Sequence, residues 1–421
     1  MFDLQSAVGS QTDRQVAHWV LAAWRLNLDD LASQEAWSHL EQYLGISLRR
    51  HLQGTIDSLM SDARVLTTMN DEARSPTARA EVRHRLLAFR RQYLRSETTL
   101  DFFADAIGVR TNRHIAGLLR ACDTLAHRSM AQLLDQLGKT APVALTYLDK
   151  GLGASILKAG LRLWDGGKAC PVAVIKVTRH NLLRPTALIH EAGHQVAHIT
   201  HWNDELTAVL ATGLRQAGAK GELAEIWAGW ASEIAADGFA FAHTGFASLA
   251  ALHDVLAGDQ SMVFRFSPGD PHPISYLRVL LGAAMCRHCY GEGPWDALAL
   301  SWTDLHPLQN APTETRAIVA DSMPLLNAVV RLVLDAPMRA FAGRPLRALI
   351  PPERVSPAAL NELDSTIGPA LFTSAHWLWT EPLRILSLTG LQLAVRPHDV
   401  KAILERQEQA MLRLGGALQT A

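Results

Sequence analysis

Apolar residues recur at three- and four-residue spacing along most of this 421-residue chain. From about residue 11 to residue 137 the spacing is nearly unbroken, and it places Val16, Val20 and Trp24 on one face of a helix. Residues 171–178 differ, because they are short of charge and rich in β-branched side chains, as strands are. The pattern predicts a mainly α (α+β) fold that carries a small β-sheet.

Turn-forming residues divide the chain. The helical spacing breaks between Gly138 and Pro142, and proline-marked turns recur beyond residue 301. We predict a helical N-terminal region at 1–140, a core at 141–300 that contains the strand, and a helical C-terminal region at 301–421. Within the core, residues 151–164 have helical spacing, and we expect that their glycines do not form a phosphate loop, because we predict no strand before them and no Gly-Lys-Ser/Thr follows.

The charge balance excludes several classes of partner. The 40 basic and 41 acidic side chains leave a formal net charge of −1, so no overall field attracts nucleic acid or an anionic membrane. The arginines between residues 79 and 95 alternate with apolar residues, and we interpret them as the solvated face of an amphipathic helix. We therefore predict no nucleic-acid partner.

The start of the chain, its hydropathy and its few cysteines together bear on the compartment in which we expect the protein. No basic segment followed by an apolar run opens the chain, and no window of about 18 residues is apolar and uncharged throughout. Of the four cysteines, Cys286 and Cys289 lack the second Cys/His pair that a structural zinc site needs, so we expect them to be core residues. We expect a cytoplasmic protein without a membrane span; its oligomeric state is left open.

The pentad from His190 to His194 carries the candidate chemistry. Residues four apart share a helix face, so His190 and His194 can bind one zinc ion while Glu191 projects beside it as a general base. The neighbouring residues 187, 188, 195 and 196 are uncharged, as expected where a helix is buried at the floor of a cleft. Gly193 predicts close approach of another element, because glycine otherwise costs about 1 kcal/mol in a helix.

A zinc hydrolase needs a third protein ligand and an open position for water. A third histidine ten residues after the first is excluded, because that position is Thr200. His198 and His201 continue the helical stripe, but they lie about two turns or more from His190. We expect these two histidines to pack, or to support the ligands from outside, rather than to bind metal.

Glu233 is the predicted third ligand. It lies 39 residues after His194 on a second apolar helix, predicted over residues 221–241, and Asp237 shares its face four positions later. We expect Asp237 to accept the other ring N–H of His190. Glu222 and Glu225 lie in the first turns of this helix, where acidic side chains interact favourably with the helix dipole. We expect neither of them to bind metal.

His190-Glu191-x-x-His194 followed by Glu233-x-x-x-Asp237 resembles the signature of the gluzincin metallopeptidases, the thermolysin-like zincins. His272-Pro273 with Arg278 resembles the His-Pro…Arg element of the prenyl-protein and heat-shock membrane peptidases in that group. This resemblance spans residues 171–290 and implies that His272 hydrogen-bonds the oxyanion and that Arg278 binds substrate or the carboxylate network. It also implies that the strand at 171–178 is an edge strand above the metal helix, where an extended substrate pairs with it.

The sequence thus predicts a zincin-like core between helical flanks, with one Zn²⁺ ion and a peptide or protein substrate. His190, His194 and Glu233 are the expected metal ligands, Glu191 is the expected catalytic base, and Tyr276 joins His272 and Arg278 as a candidate oxyanion donor. Two alternatives stay open: an inactive zincin-like binding or scaffold protein, and a processing or toxin-like protease for one cognate protein. A serine triad is excluded, because no Gly-x-Ser-x-Gly elbow occurs.

Overall fold

The computed structural model describes residues 4–45, 48–151, 155–157 and 172–417. Two compact units divide the chain, one made of residues 1–111 and 159–174 and the other of residues 112–158 and 175–421. The fold is mainly helical with a small sheet, as predicted. The units differ from the three predicted regions because C-terminal helices pack into the core: Ser387 donates to the His243 carbonyl, and Arg120 donates to the Gly415 carbonyl.

The first unit is helical. Its helices are α1 (Leu4–Trp24), α2 (Gln34–Leu44), α3 (Leu48–Glu72) and α4 (Pro76–Gly108). Ser75 caps α4 by accepting the Ala78 N–H, and Pro76 stands at the first position, where a missing N–H costs nothing. Val82, Leu86 and Phe89 are buried on α4 while the intervening arginines are mostly exposed, which confirms an amphipathic helix over 79–95.

The second unit holds the remaining helices of the described residues. In chain order they are α5 (Arg113–Leu134), α6 (Thr186–Thr200), α7 (Trp202–Gln216), α8 (Leu223–Gly229), α9 (Ala231–Thr244), α10 (Phe246–Leu256), α11 (Gln260–Val263), α12 (Ser275–Tyr290), α13 (Pro294–Leu305), α14 (Thr313–Ser322), α15 (Leu326–Leu334), α16 (Leu346–Leu349), α17 (Pro357–Ile367), α18 (Ala375–Thr380), α19 (Pro382–Val395) and α20 (Val400–Ala417). The helix predicted over 221–241 is thus two helices, α8 and α9, which meet at Trp230.

Three strands form the sheet: β1 (Val143–Leu148), β2 (Ser155–Leu157) and β3 (Val172–Val177), in the order β1-β3-β2. The Asp149 N–H donates to the Val177 carbonyl at 3.2 Å, which joins the carboxyl ends of β1 and β3 as in a parallel pair. Strand β3 confirms the strand predicted at 171–178, whereas the expectation that no strand precedes residues 151–164 is wrong, because β1 does. Strand β2 lies in the stretch 151–164 that we expected to be helical; residues 152–154 and 158–164 are outside the described part.

The position of β3 corrects one expectation. This strand is central, with a neighbour on each side, so it is not the edge strand that an extended substrate could join. Its side chains are buried on both faces apart from the half-buried Lys176, and such a strand reads as a continuous apolar run. The continuous apolar run that predicted the strand also indicates a central position in the sheet. A strand with one solvated face would instead alternate apolar and polar residues.

One helical stretch of the described residues, Thr313–Leu334, has the length and apolar composition of a membrane span. Half of its apolar window is buried inside the protein. Its Val333 packs so closely on α9 that a Cβ at Gly238 would lie 2.5 Å from Val333 Cγ1. Helices in the core of a protein have this same apolar character.

Candidate metal centre

Helix α6 presents both histidines of the pentad on one face. The ring centroids of His190 and His194 are 4.7 Å apart, with the two planes nearly perpendicular. Leu188 and Ile189 are fully buried on the opposite side of the helix. The apolar residues of the pentad segment thus anchor the helix in the core, and its polar residues face a cavity.

Glu233, in the first turn of α9, lies beside both histidines. Its Oε1 is 3.1 Å from His194 Nε2, and its Oε2 is 3.4 Å from His190 Nε2. One potential ligand atom from each of the three side chains lies within 4.8 Å of the others. In the described part of the chain, His190, His194 and Glu233 are the group that could hold a metal ion.

Gly193 sets the distance between α6 and α9. A Cβ at this position would lie 3.0 Å from the Ala236 Cα and 3.1 Å from the Phe239 Cβ. Any side chain here would push against the backbone of α9. The close approach that the sequence predicted at Gly193 is confirmed, and it holds Glu233 against the two histidines.

Asp237 and Arg278 form a second layer behind the three candidate ligands. Asp237 Oδ1 is 2.8 Å from His190 Nδ1, the ring nitrogen that faces away from Glu233. Arg278, on α12, donates to both oxygens of Asp237, from Nε at 2.5 Å and from Nη2 at 2.8 Å. The same Nη2 lies 3.0 Å from Glu233 Oε2. One buried guanidinium therefore orients two carboxylates, and one of these orients His190.

The charges in this layer shift each other's ionisation. Burial alone would lower the pKa of His190, but the hydrogen bond and charge of Asp237, helped by Glu233, raise it to about 9. Burial would raise the pKa of Glu233 and of Asp237, yet their histidine and arginine partners lower both. Burial opposes the charge of Arg278, but Asp237 and Glu233 raise its pKa further. All three partners of His190 are thus charged at neutral pH.

His194 has an outer partner that the sequence analysis missed. Ser232 Oγ lies 3.3 Å from His194 Nδ1, and the Asn203 side-chain amide donates to the same hydroxyl at 3.3 Å. Ser232 directly precedes Glu233, but a serine in that position has no periodic or motif signal. Asp237 and Ser232 therefore lie next to the second ring nitrogens of the two histidines, the position that outer partners of metal-binding histidines take.

His272 stands at the mouth of the cavity and is 62% exposed. Its Nδ1 is 2.7 Å from Asp270 Oδ1, and its backbone N–H donates to the same oxygen at 3.0 Å. With Nδ1 held in this way, Nε2 faces inward, 3.8 Å from Glu233 Oε1. Asp270 was not singled out from the sequence; its signal is its position two residues before a histidine in a turn.

Other predicted residues lie away from the cluster. Tyr276 is buried against Phe264, with ring centroids 5.0 Å apart, and does not line the cavity. His201 is exposed and ends α6 in a left-handed conformation, φ 59°. Glu225 is exposed and paired with Arg215. Burial raises the pKa of the Cys286 and Cys289 thiols, and neither belongs to a metal-binding group of the described residues.

The cavity in front of the cluster has a volume of about 510 Å³. Its polar end contains the candidate ligands, Glu191, which is 8% exposed, and His272. Its other walls come from α9, α10 and α12 and are apolar, as at Phe241, Leu252 and Met285. A polar cluster thus lines the same cavity as a set of apolar side chains.

The cluster fits a zinc ion by the chemistry of its donors. Two imidazole nitrogens and one carboxylate oxygen form a common ligand set of catalytic zinc. Ligation of a metal ion requires both imidazoles to be neutral, so that His190 would release its proton on binding. Glu191, Glu233, Asp237 and Arg278 then leave a formal charge of −2, which balances a divalent cation. Asp237 Oδ1 lies 2.8 Å from the second ring nitrogen of His190, and Ser232 Oγ lies 3.3 Å from that of His194, so a polar group stands behind each ring.

Comparison with protein-family models, with curated proteins and with solved structures gives no match. The assignment of function therefore depends on the geometry of the site.

Proposed function

We propose that this protein is a zinc-dependent metallopeptidase with one Zn²⁺ ion held by His190, His194 and Glu233. The observation that carries the proposal is the meeting of these three side chains next to Glu191 at the polar end of a cavity. This combination offers the ligands, the base and the space for substrate that metal-assisted hydrolysis requires.

The bound zinc would polarise the substrate carbonyl and lower the pKa of a water molecule towards ~7. Glu191 accepts a proton as that water attacks the carbonyl carbon. It then gives this proton to the amide nitrogen, so that the C–N bond breaks and the amine leaves neutral. A carboxylate performs both transfers when it is close to both reacting atoms, and Glu191 lines the same cavity end as the ligands.

His272 is the proposed donor to the oxyanion that forms on the carbonyl oxygen. Asp270 holds its Nδ1, so the inward nitrogen, Nε2, can carry a proton towards the substrate. Of the roles expected for Arg278, its contacts support binding of the carboxylate network rather than of substrate: it is 8% exposed and holds Glu233 and Asp237. We assign Arg278 a positioning role. Tyr276 takes no part in this scheme, because it lies outside the cavity lining.

The proposed substrate is a peptide with an apolar residue next to the scissile bond. The apolar walls that adjoin the cluster would remove such a side chain from water, at about 25 cal/mol for each Å² buried. A charged side chain would find no partner along the walls formed by Phe241, Leu252 and Met285.

The test measures metal content and hydrolysis in the same preparations. We expect the purified protein to bind about one zinc ion per chain and to cleave a library of fluorogenic peptides. Glu191→Gln should keep the metal and lose hydrolysis, because it removes the base and leaves the ligands.

Two glutamate variants on adjoining helices control for the choice of ligand. Glu233→Ala should lose most of the zinc affinity, whereas Glu225→Ala, which removes an exposed carboxylate paired with Arg215, should retain it. A protein that is folded and hydrolyses peptides equally well after removal of all metal would refute the proposal.

A further inference from the structure

Asn181 lines the cavity that contains the candidate metal ligands, although no sequence motif marks it. It ends the helical turn Arg179–Asn181, which lies between β3 and α6. Two hydrogen bonds hold this turn: the Asn181 N–H donates to the Thr178 carbonyl, and the Arg184 N–H donates to the Asn181 carbonyl, both at 3.1 Å. The backbone of Asn181 is therefore fixed just before the helix that carries the pentad.

The Asn181 amide has hydrogen-bonding capacity that the protein leaves unused. The residue is 6% exposed, and its side chain forms no hydrogen bond with any described residue. Other uncharged polar side chains along the cavity are engaged or enclosed: the Ser248 hydroxyl donates to a backbone carbonyl at 2.8 Å, the Ser232 hydroxyl accepts from Asn203, and the Thr186 hydroxyl is enclosed by protein. A primary amide offers two donors and an acceptor oxygen, and burying it unpaired is unfavourable. Among these described groups, the Asn181 amide is the one left to meet a ligand.

The turn that carries Asn181 is also tied to the apolar wall of the cavity. Arg184 donates to the Asp254 carboxylate on α10, and Leu252 and Val255 of the same helix line the cavity. A peptide with an apolar side chain on this wall would lose water from its main-chain peptide groups, which then need partners. Strand β3 cannot supply them, because it is central in the sheet.

We infer that the Asn181 amide binds a peptide group of the substrate main chain, with Nδ2 donating to the carbonyl oxygen and Oδ1 accepting the N–H. The main chain is the occupant because every peptide carries this group, whereas the neighbouring wall favours apolar side chains over polar ones. Asn181 is thus a substrate-binding residue that does not touch the reacting atoms. The inference rests on the proposed function in one respect, that the occupant of the cavity is a peptide.

A set of esters tests the inference without any change at Asn181. The probe is a short fluorescein-labelled alanine peptide with two central leucines, remade with one main-chain N–H at a time replaced by an ester oxygen. Fluorescence anisotropy measures its binding to full-length Glu191→Gln, which should not hydrolyse it. One ester should bind about tenfold more weakly than the parent peptide, the effect of one hydrogen bond to a buried group. If all the esters bind as tightly as the parent, the inference is overturned.

Adding Asn181→Leu to Glu191→Gln locates the effect, because leucine has a similar size and no amide. Parent peptide should bind about tenfold more weakly to this double variant, which should no longer distinguish the sensitive ester from the parent. Ser248→Ala in the same background is the control, because it removes a cavity-lining hydroxyl that already has a partner, and it should leave both measurements unchanged. In urea, Asn181→Leu should be at least as stable as wild type, since it removes an unpaired polar group. A loss of stability would assign Asn181 a structural role and overturn the inference.

Hydrolysis by the protein with Glu191 intact separates this inference from the proposed function. Asn181→Leu should raise KM more than it lowers kcat, because the lost hydrogen bond is made in the bound substrate as well as in the transition state. Hydrolysis with unchanged KM and unchanged peptide binding in Asn181→Leu would overturn the inference and leave the proposed function standing. Asn181-dependent binding without any hydrolysis would do the reverse.

Discussion

Gly193→Ala tests whether the contact between α6 and α9 sets the metal-binding geometry. The added Cβ would lie 3.0 Å from the Ala236 Cα, whereas ordinary contacts begin at 3.4 Å, so the helices must separate by about 0.4 Å. Ligand distances in metal sites hold to about 0.2 Å. We therefore expect zinc affinity to fall about tenfold or more, as it does when an outer partner of a ligand is lost.

Stability should change less than metal affinity in this variant. Alanine favours the helix by about 1 kcal/mol over glycine, while overpacking against a backbone costs about 1–3 kcal/mol. The metal-free protein should thus lose about 1 kcal/mol in its free energy of unfolding. Urea denaturation with a chelator present measures this term, and competition with a fluorescent chelator measures the zinc affinity.

The control is Gly229→Ala, because a Cβ at Gly229 meets no atom within 4 Å. It should leave zinc affinity unchanged and raise stability by at most about 1 kcal/mol. If Gly193→Ala bound zinc as tightly as the wild type, the distance between the two helices would not govern the site, and the reasoning would be refuted.

Three further predictions concern Glu205 in the first turn of α7, the carboxylate that holds the exposed His272, and the apolar wall of the cavity. Burial would raise the pKa of Glu205, but hydrogen bonds from the Ala340 and Arg339 backbone N–H groups, both at 2.8 Å, lower it. The stability that Glu205 contributes is therefore present above the unfolded-state pKa of about 4.3 and is lost as pH falls through the folded-state value. Urea denaturation should show Glu205→Gln about 1–3 kcal/mol less stable than wild type at pH 7 and progressively closer to it below that pKa; a gap that does not vary with pH would contradict this cause. Asp270→Asn should slow peptide hydrolysis about tenfold to a hundredfold at unchanged zinc content, and a loss of zinc instead would show that Asp270 supports the ligands. Leu252→Asn, in the half-buried part of the cavity wall, should lower kcat/KM for peptides with apolar residues about tenfold and leave polar peptides unaffected, whereas an equal loss for both would remove the wall from substrate selection.

The sequence predicted the parts of the site that depend on local spacing. A histidine pair four residues apart must share a helix face, and Glu233 with Asp237 must share another, so the main uncertainty was whether these faces meet. Gly193 was the one local sign of their contact, because its absence of a side chain is unfavourable in a helix unless another element approaches. The strand β3 followed from its β-branched residues for the same local reason.

The remaining features depend on contacts between distant residues, which periodicity does not encode. The place of β3 in the sheet is set by β1 and β2, which flank it, and the break at Trp230 is hidden because apolar residues continue across it. Ser232 and Asp270 become relevant only when the fold brings histidine rings to them. The C-terminal helices join the core unit through contacts such as Ser387 with His243, more than a hundred residues apart.

Arg278 has a consequence for how the cleft can move. It holds Glu233 and Asp237 of α9, and it lies one turn inside α12, just after the loop that carries His272. A hinge that swung α12 away from α9 would expose a guanidinium and two carboxylates with their ion pairs broken, so these helices must move as one body. If the cleft closes over the proposed substrate, the loop before α12, where His272 is more than half exposed, is the segment that this ion-pair network leaves free to move. In the proposed mechanism, the metal ligands would stay fixed while the oxyanion donor moves with the substrate.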